Sequence, residues 1–252
     1  MIKNSRPVFS KTSLFLFILS LLFSSCRTLR VKDYFHPDFT CLREAGWANQ
    51  KDFKKYKELW TLKRIAFQAD NQQTKQSRVV IVGNSLVFGF SPDLMKQELP
   101  GVNIVNRGIG GDMTETLLER IEEDVLSLSP EVVIIEIGGN DLIYGKCLSY
   151  SQDNTLAILD RIERKNPKTK VILIAVPPTL VPELNRIVPV FNLFLSETAR
   201  NRKNVTYIEV WNEMRQKDAP VIDADFVRPN GDPIHFNERG YQVWGKKLRP
   251  LL

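Results

Sequence analysis

Short apolar runs recur along the chain from residue 78 onward. Five of them are four to six residues long, rich in β-branched residues and apolar almost throughout: residues 79–82, 102–105, 132–137, 171–176 and 205–210. Runs of this length and composition are typical of strands that are buried on both faces of a parallel sheet. The pattern therefore predicts five parallel strands.

Helical patterns lie between these runs. Ser91-Pro92-Asp93 predicts a helix start, because a capping hydroxyl is followed by proline at the first helical position. Residues 112–115 resemble a capping box, and apolar residues then recur on one helical face: Leu117, Leu118, Ile121, Val125 and Leu128. Further helices are predicted over residues 151–165, 182–201 and about 237–248. Parallel strands need crossover connections, so the alternation predicts an α/β fold, a three-layer α/β/α sandwich.

The N-terminus has the pattern of a secretory signal. Lys3, Arg6 and Lys11 precede an apolar run over residues 14–23, and small residues follow it. A basic start, a short apolar stretch and a small-residue end are typical of a signal peptide, here residues 1–25. A permanent anchor helix is the alternative, but a bilayer span needs about 20 apolar residues.

The residues around Cys26 refine this prediction. The stretch Leu22-Phe23-Ser24-Ser25-Cys26 resembles the lipobox of bacterial lipoproteins, although Phe23 occupies the place that leucine usually holds. The resemblance implies that Cys26 is lipidated and becomes the first mature residue. It also implies an extracytoplasmic protein of the bacterial cell envelope, anchored in the membrane without a spanning helix.

Much of the positive charge belongs to this leader. Removing residues 1–25 removes three positive charges and no negative ones, so the net charge falls from +6 to +3. A nucleic-acid-binding domain would be more basic, and we expect no nucleic-acid partner. Cys41 and Cys147 lack the close spacing of a zinc site. They could pair in an oxidising compartment, but the sequence leaves them unassigned.

Residues 26–77 form a separate region before the domain at 78–252. The region is polar, and its second part carries an approximate helical stripe: Phe53, Tyr56, Leu59, Trp60, Leu62, Ile65 and Ala66. This predicts a spacer followed by an amphipathic helix that packs on the main domain. A helix that lies on a membrane is the alternative.

Chemically useful residues follow the predicted strands. Ser85 comes directly after the first strand, the glycine-rich stretch 106–112 ends the second, and Asn140 follows the third. Asp232 and His235 lie in the loop before the last helix. Each has a plain structural explanation as a turn or surface residue. Ligands bind outside the carboxyl ends of the strands in open α/β sheets, however, and the topology would bring these residues together there.

Ser, Gly, Asn and His in these contexts and in this order resemble the SGNH hydrolases, also called the GDSL-like lipase/acylhydrolase family. The resemblance covers about residues 78–250, and the stretch Asn106-Arg107-Gly108-Ile109-Gly110-Gly111-Asp112 is similar to the platelet-activating-factor acetylhydrolase branch. Asp232-x-x-His235 followed by Gly240-Tyr241 is also typical of the family. The family's fold has a flavodoxin-like strand order, which we therefore expect here.

The resemblance implies a role for each of these residues. Ser85 matches the nucleophile, His235 its base and Asp232 the partner of that base. The oxyanion donors would be the backbone N–H of Ser85, the N–H of Gly111, with Gly110 as the alternative, and the Asn140 side chain. No metal or organic cofactor is implied. One departure is Asn84, which stands where the family usually has aspartate.

These roles predict a serine esterase that cleaves small acyl esters, on a glycan or a lipid, through an acyl-serine intermediate. A cell-surface O-acyltransferase that uses the same serine is an alternative. A non-catalytic binding lipoprotein is another, although the intact set of Ser85, Asn140, Asp232 and His235 argues against it. Apolar residues after Ser85 and Asn140 could line an acyl pocket or belong to the core.

Overall fold

The computed structural model describes residues 32–47, 53–74 and 76–252. The predicted signal peptide and Cys26 lie outside these residues, so both stay predictions. Within the described ranges, no helix combines the length and the apolar character that a bilayer crossing requires.

A single parallel sheet of five strands forms the centre of the domain. The strands are Val79–Gly83 (β1), Ile104–Gly108 (β2), Val132–Glu136 (β3), Lys170–Ile174 (β4) and Val205–Ile208 (β5). Their order is β2-β1-β3-β4-β5, and every neighbouring pair is parallel. The predicted flavodoxin-like sheet is confirmed. The strand order reverses beside β1, and this switch point is where such sheets place their ligands.

Helices cover both faces of the sheet. In chain order they are Phe53–Thr74 (α1), Ser85–Gly89 (α2), Pro92–Glu98 (α3), Thr114–Asp124 (α4), Gly139–Tyr144 (α5), Leu148–Lys165 (α6), Pro182–Arg200 (α7), Trp211–Met214 (α8) and Glu238–Leu248 (α9). Helices α4, α6 and α7 pack on one face, where Val80 and Val82 point. Helices α2, α3 and α9 pack on the other, against Val79 and Ile81. The three-layer α/β/α sandwich is therefore confirmed.

Strand β2 lies further along the chain than its prediction, at 104–108 rather than 102–105. The difference arises because Asn106 and Arg107 pair with β1 although their side chains are polar. Arg107 is nevertheless buried, and its guanidinium contacts Asp70 at 2.5 Å. A polar side chain that is buried through an ion pair does not appear in a hydrophobic pattern.

The predicted helix starts had different outcomes. Ser91 caps α3 as predicted, with its hydroxyl accepting from the N–H of Leu94 at 3.3 Å. The prediction that Asp112 caps α4 is wrong, because the helix begins after Met113. The Asp112 carboxylate instead pairs with Arg120 inside the protein.

Helix α1 packs on the domain as predicted, but only Tyr56 and Trp60 of the predicted stripe face it. Trp60 is buried, whereas Leu62 and Ile65 are 65% and 60% exposed. The contact with α4 is largely polar: Arg64 and Asn71 bond Glu123 and its neighbours. Polar contacts of this kind cannot be recognised from hydrophobic spacing.

Candidate active site

Ser85 stands at the carboxyl end of β1 as the first residue of α2. Gly83 makes the turn possible, since its φ is +154° and a Cβ there would lie 1.9 Å from the Glu136 carbonyl oxygen. Asn84 caps the short helix by accepting from the N–H of Leu86 at 2.8 Å. The turn thus holds a half-buried serine hydroxyl at the edge of the sheet.

His235 reaches Ser85 from the far end of the chain. Its Nε2 lies 2.8 Å from the Ser85 Oγ, and its Nδ1 lies 2.8 Å from the Asp232 Oδ2. An ionised carboxylate only accepts hydrogen bonds, so Nδ1 carries the proton and Nε2 is free to accept from the serine hydroxyl. The three side chains therefore form a continuous Ser–His–Asp chain.

The Asp232 carboxylate is held as an anion. Burial is the largest single effect and raises its pKa, but it is outweighed by the sum of the opposing effects, which come from the N–H groups of Ile234 and His235, donating to Oδ1 at 2.9 and 3.0 Å, and from the imidazole. The net result is a pKa below the ordinary value for aspartate. The charge that orients the imidazole is therefore present across the neutral range.

Gly111 lies in the loop after β2 and Asn140 in the first turn of α5, and these two segments are bonded to each other. The Asn140 side-chain amide donates to the Asp112 carbonyl at 2.9 Å, and this uses one of its two N–H groups. Gly111 is buried with a φ of +81°, a conformation that favours glycine. The loop around it lies against β1, because the N–H of Ile109 donates to the Gly83 carbonyl at 2.9 Å. The structure thus brings the predicted donors to the same edge as Ser85.

A small cavity opens beside Ser85. Its polar wall includes Ser85 and Asn140, and its apolar wall consists of Leu86, Ile143, Val176, Pro177, Leu184 and Ile234. The free space is about 20 Å³, which is near the size that holds a single water molecule. Ile143 therefore lines the site, whereas Val87, Phe90, Leu142 and Tyr144 are buried in the core.

Glu136 forms part of the same cavity wall. It ends β3 and is fully buried, and burial raises its pKa to about 8 against a smaller opposing effect of Asn84. An aspartate at position 84 would place a second carboxyl group beside Glu136. The Asn84 side-chain oxygen already accepts from Leu86, so its amide nitrogen is the donor available to Glu136, and an aspartate would lack this donor.

Several residues that support the site were not predicted from the sequence. Arg120 is fully buried and donates to the Asp112 carboxylate and to the Arg107 carbonyl, at 2.6 and 2.9 Å. Asn106 donates to the carbonyls of Val87 and Phe90 at 2.7 and 3.0 Å, and so fixes α2 from β2. These bonds are made by polar side chains, which a hydrophobic pattern does not reveal. Two sequence signals did point here: the family-like stretch 106–112, which includes Asn106, and the Gly240-Tyr241 pair, in which the Tyr241 hydroxyl donates to the Leu86 carbonyl at 2.8 Å.

Among the described residues, no group of three or more His, Cys, Asp or Glu side chains is arranged to hold a metal ion. The Ser–His–Asp chain itself consists of groups that carry out acyl transfer without one.

Comparison with known proteins finds relatives among ester hydrolases. The model of the GDSL-like Lipase/Acylhydrolase family matches residues 81–243, inside the predicted domain. The chain is 26% identical over 205 residues to the platelet-activating factor acetylhydrolase IB subunit alpha1 of Bos taurus, covering 77% of this chain and 82% of the relative. It is 25% identical over 122 residues to the esterase TesA of Pseudomonas aeruginosa, covering 44% of this chain and 61% of that one.

Solved structures show the same fold. A GDSL-like lipase from Bacteroides thetaiotaomicron superposes with a TM-score of 0.62 at 22% identity, over 78% of this chain and 96% of its own. An acetylxylan esterase from Geobacillus stearothermophilus, solved as a catalytic mutant, superposes with a TM-score of 0.54 at 18% identity. The match covers 69% of this chain and 93% of that one.

Proposed function

Because this chain belongs to the GDSL-like lipase/acylhydrolase family and is a carboxylic ester hydrolase, we propose that it cleaves small acyl esters with Ser85 as nucleophile. The observation that carries the proposal is the Ser85–His235–Asp232 chain, with 2.8 Å at both contacts. This geometry suits an active enzyme and argues against a purely binding role.

The geometry supports a two-step acyl transfer. His235 Nε2 takes the Ser85 proton as Oγ attacks the ester carbonyl carbon, and Asp232 stabilises the imidazolium that forms. The C–O bond to the leaving alcohol then breaks, and the imidazolium returns the proton to that alcohol. Water, deprotonated by His235, attacks the acyl-serine in the second step and releases the acid together with free Ser85.

Negative charge on the former carbonyl oxygen needs donors at the same edge. We assign this role to the N–H groups of Ser85 and Gly111 and to the second N–H of the Asn140 amide. Each donor of this kind typically contributes on the order of a hundredfold or more to turnover. The bond from Asn140 to the Asp112 carbonyl keeps the amide in place before substrate binds.

The cavity supports a small acyl group, such as acetyl, as the part that is transferred. Its free space of about 20 Å³ admits a methyl-sized group, while its walls of Leu86, Ile143 and Ile234 exclude a longer chain. The relative from Bos taurus is named as an acetylhydrolase, which agrees with this assignment. The alcohol part of the ester, glycan or lipid, would lie outside the cavity.

A substitution of the nucleophile tests the proposal. Ser85→Ala is expected to abolish hydrolysis of an aryl acetate while the thermal unfolding midpoint stays near that of the wild type. Ser196→Ala, on the outer part of α7, is the matched control and should hydrolyse normally. Undiminished turnover by a folded Ser85→Ala variant would contradict the proposal.

We also propose a membrane-anchored lipoprotein of the bacterial cell envelope, with Cys26 as the lipidated residue. Support comes from the lipobox-like sequence and from the disulfide between Cys41 and Cys147, since disulfides persist in oxidising compartments. Metabolic labelling with a fatty-acid probe should mark the wild type in the membrane fraction. Cys26→Ser should lose the label, and an unlabelled wild type would contradict the proposal.

A further inference from the structure

Residues 32–47 precede the region that the family model matches, yet they contact the elements that carry the predicted oxyanion donors. We propose that Trp47 is a positioning residue that holds Gly111 in the orientation needed for catalysis, and that the Cys41–Cys147 disulfide holds Trp47 in turn. The proposal rests on the proposed function, because it assigns Gly111 to the oxyanion hole.

Trp47 makes a direct contact with the glycine loop. Its indole Nε1 donates to the Gly111 carbonyl oxygen at 2.8 Å, and the side chain is only 3% exposed. The indole stacks on Tyr56, and the Tyr56 ring lies so close to Gly111 that a Cβ there would be 2.6 Å from it. Trp47 and Tyr56 thus both contact Gly111 and each other.

The hydrogen bonds of the glycine loop show what Trp47 adds. The carbonyl of Ile109 accepts from the N–H of Asp112 at 3.2 Å, and the carbonyl of Asp112 accepts from Asn140 at 2.9 Å. Within the described residues, the Gly111 carbonyl accepts only from Trp47. A buried carbonyl that loses its partner is unfavourable, so the loop would rotate to find another.

Such a rotation would act on the transition state more than on the bound substrate. The Gly111 N–H contributes where negative charge develops, and a donor that moves away stabilises this charge less. Binding of the uncharged ester depends on the cavity, whose lining does not include Gly111. Loss of the indole N–H should therefore lower kcat and leave KM nearly unchanged.

The segment before Trp47 is bonded to residues 145–147, which follow α5. Cys41 is bonded to Cys147, and backbone bonds of 2.9 and 2.8 Å join Leu42 to the carbonyl of Gly145 and the N–H of Cys147. Lys146 adds a contact from its Nζ to the Gly46 carbonyl at 2.8 Å. The segment therefore bridges α5, which carries Asn140, and the Gly111 loop.

The experiment compares Trp47→Phe with the wild type in the full chain. Phenylalanine keeps an aromatic ring but removes the N–H donor. Trp211→Phe is the matched control, because Trp211 is also largely buried, at 8% exposed, and belongs to α8. The measurements are kcat and KM on an aryl acetate, affinity for a trifluoromethyl ketone that mimics the transition state, and labelling of Ser85 by a fluorophosphonate.

We expect Trp47→Phe to lower kcat by about tenfold or more and to lower the affinity for the ketone by a similar factor. KM should change by less than about twofold. Ser85 should still be labelled to completion, and Trp211→Phe should behave like the wild type. Wild-type kcat and ketone affinity in a folded Trp47→Phe variant would overturn the inference. So would a loss of kcat with unchanged ketone affinity. Absent hydrolysis and labelling in the wild type would instead overturn the proposed function.

A second measurement applies if Trp47→Phe does not fold. Mild reduction of the wild type, or the double variant Cys41→Ser/Cys147→Ser, removes the disulfide but leaves the indole of Trp47 in the chain. Kcat and ketone affinity should fall together in the folded protein, while KM stays within about twofold. Unchanged kcat in the reduced, folded protein would overturn the proposal that the disulfide holds Trp47 in place.

Discussion

Arg120 and Asp112 form an ion pair at 2.6 Å in which both side chains are fully buried. The guanidinium also donates to the carbonyl of Arg107, so one side chain connects the end of β2 with the loop that carries Gly111. A buried cation of this kind is stable only while its partners are present. The ion pair therefore holds the glycine loop at the sheet edge.

Removal of the cation should destabilise the protein strongly. Arg120→Leu leaves the Asp112 carboxylate buried without its partner, and we expect the free energy of unfolding to fall by about 3–5 kcal/mol. Chemical denaturation measures this change. Arg78→Ala, which removes an exposed ion pair with Glu131, is the control and should cost less than about 1 kcal/mol. The assignment would be wrong if the two variants were equally stable.

The Asp232 carboxylate should matter for turnover rather than for folding. Asp232→Asn keeps an oxygen for the N–H groups of Ile234 and His235, but it can place an amide donor against Nδ1 and favour the other imidazole tautomer. Kcat on an aryl acetate should fall by about a thousandfold, with a small change in the unfolding midpoint. Asp225→Asn, at an exposed ion pair with Arg239, is the control. Equal activity of the two variants would refute the role of Asp232.

The cavity beside Ser85 should set the length of the acyl group. Ile143→Ala removes part of the apolar wall and so enlarges the cavity. Hydrolysis of butyryl and octanoyl esters should therefore rise by about tenfold or more relative to the acetyl ester. Comparison of kcat/KM across the three esters measures the shift. Leu193→Ala, at a site that is 60% exposed, should leave the ratio unchanged. An unaltered acyl preference in Ile143→Ala would place the acyl group elsewhere.

The buried Glu136 should make stability depend on pH. Its pKa is raised from 4.5 to about 8, so between these values the folded protein holds a proton that the unfolded chain has lost. Its contribution to stability therefore declines as pH rises from about 4.5 to about 8 and is constant above that range. Relative to the wild type, Glu136→Gln should gain stability across this window, measured as the free energy of unfolding. Glu131→Gln, at an exposed position, should show no such gain, and a pH-independent difference for Glu136→Gln would contradict the raised pKa.

The sheet and most of the helices could be predicted from the sequence. Apolar, β-branched runs such as residues 132–137 identify buried strands because burial on both faces leaves little room for polar residues. The predicted start of α3 was right because Ser91 caps a helix through contacts with its own neighbours.

The residues that were misinterpreted or left without a role have buried polar partners, which leave no signal in a hydrophobic pattern. Asp112 was interpreted as a cap, but its charge belongs to Arg120, and Arg107 was left outside β2 because its buried ion pair with Asp70 leaves no local signal. Trp47 had no assigned role, since nothing near it in sequence indicates Gly111. Ser85, Asn140, Asp232 and His235 were identified by their positions after the predicted strands and before the last helix, and the family resemblance gave their roles. The structure places Ser85 beside both His235 and Asn140.

The central claim is that His235 activates the hydroxyl of Ser85, 150 positions away in the chain. Reaction with a fluorophosphonate, followed by mass spectrometry of the digested protein, tests it most directly. We expect the wild type to carry one adduct, on the peptide that contains Ser85, and His235→Ala to react at least about a hundredfold more slowly. An adduct on a different residue, or an undiminished rate in His235→Ala, would contradict the claim.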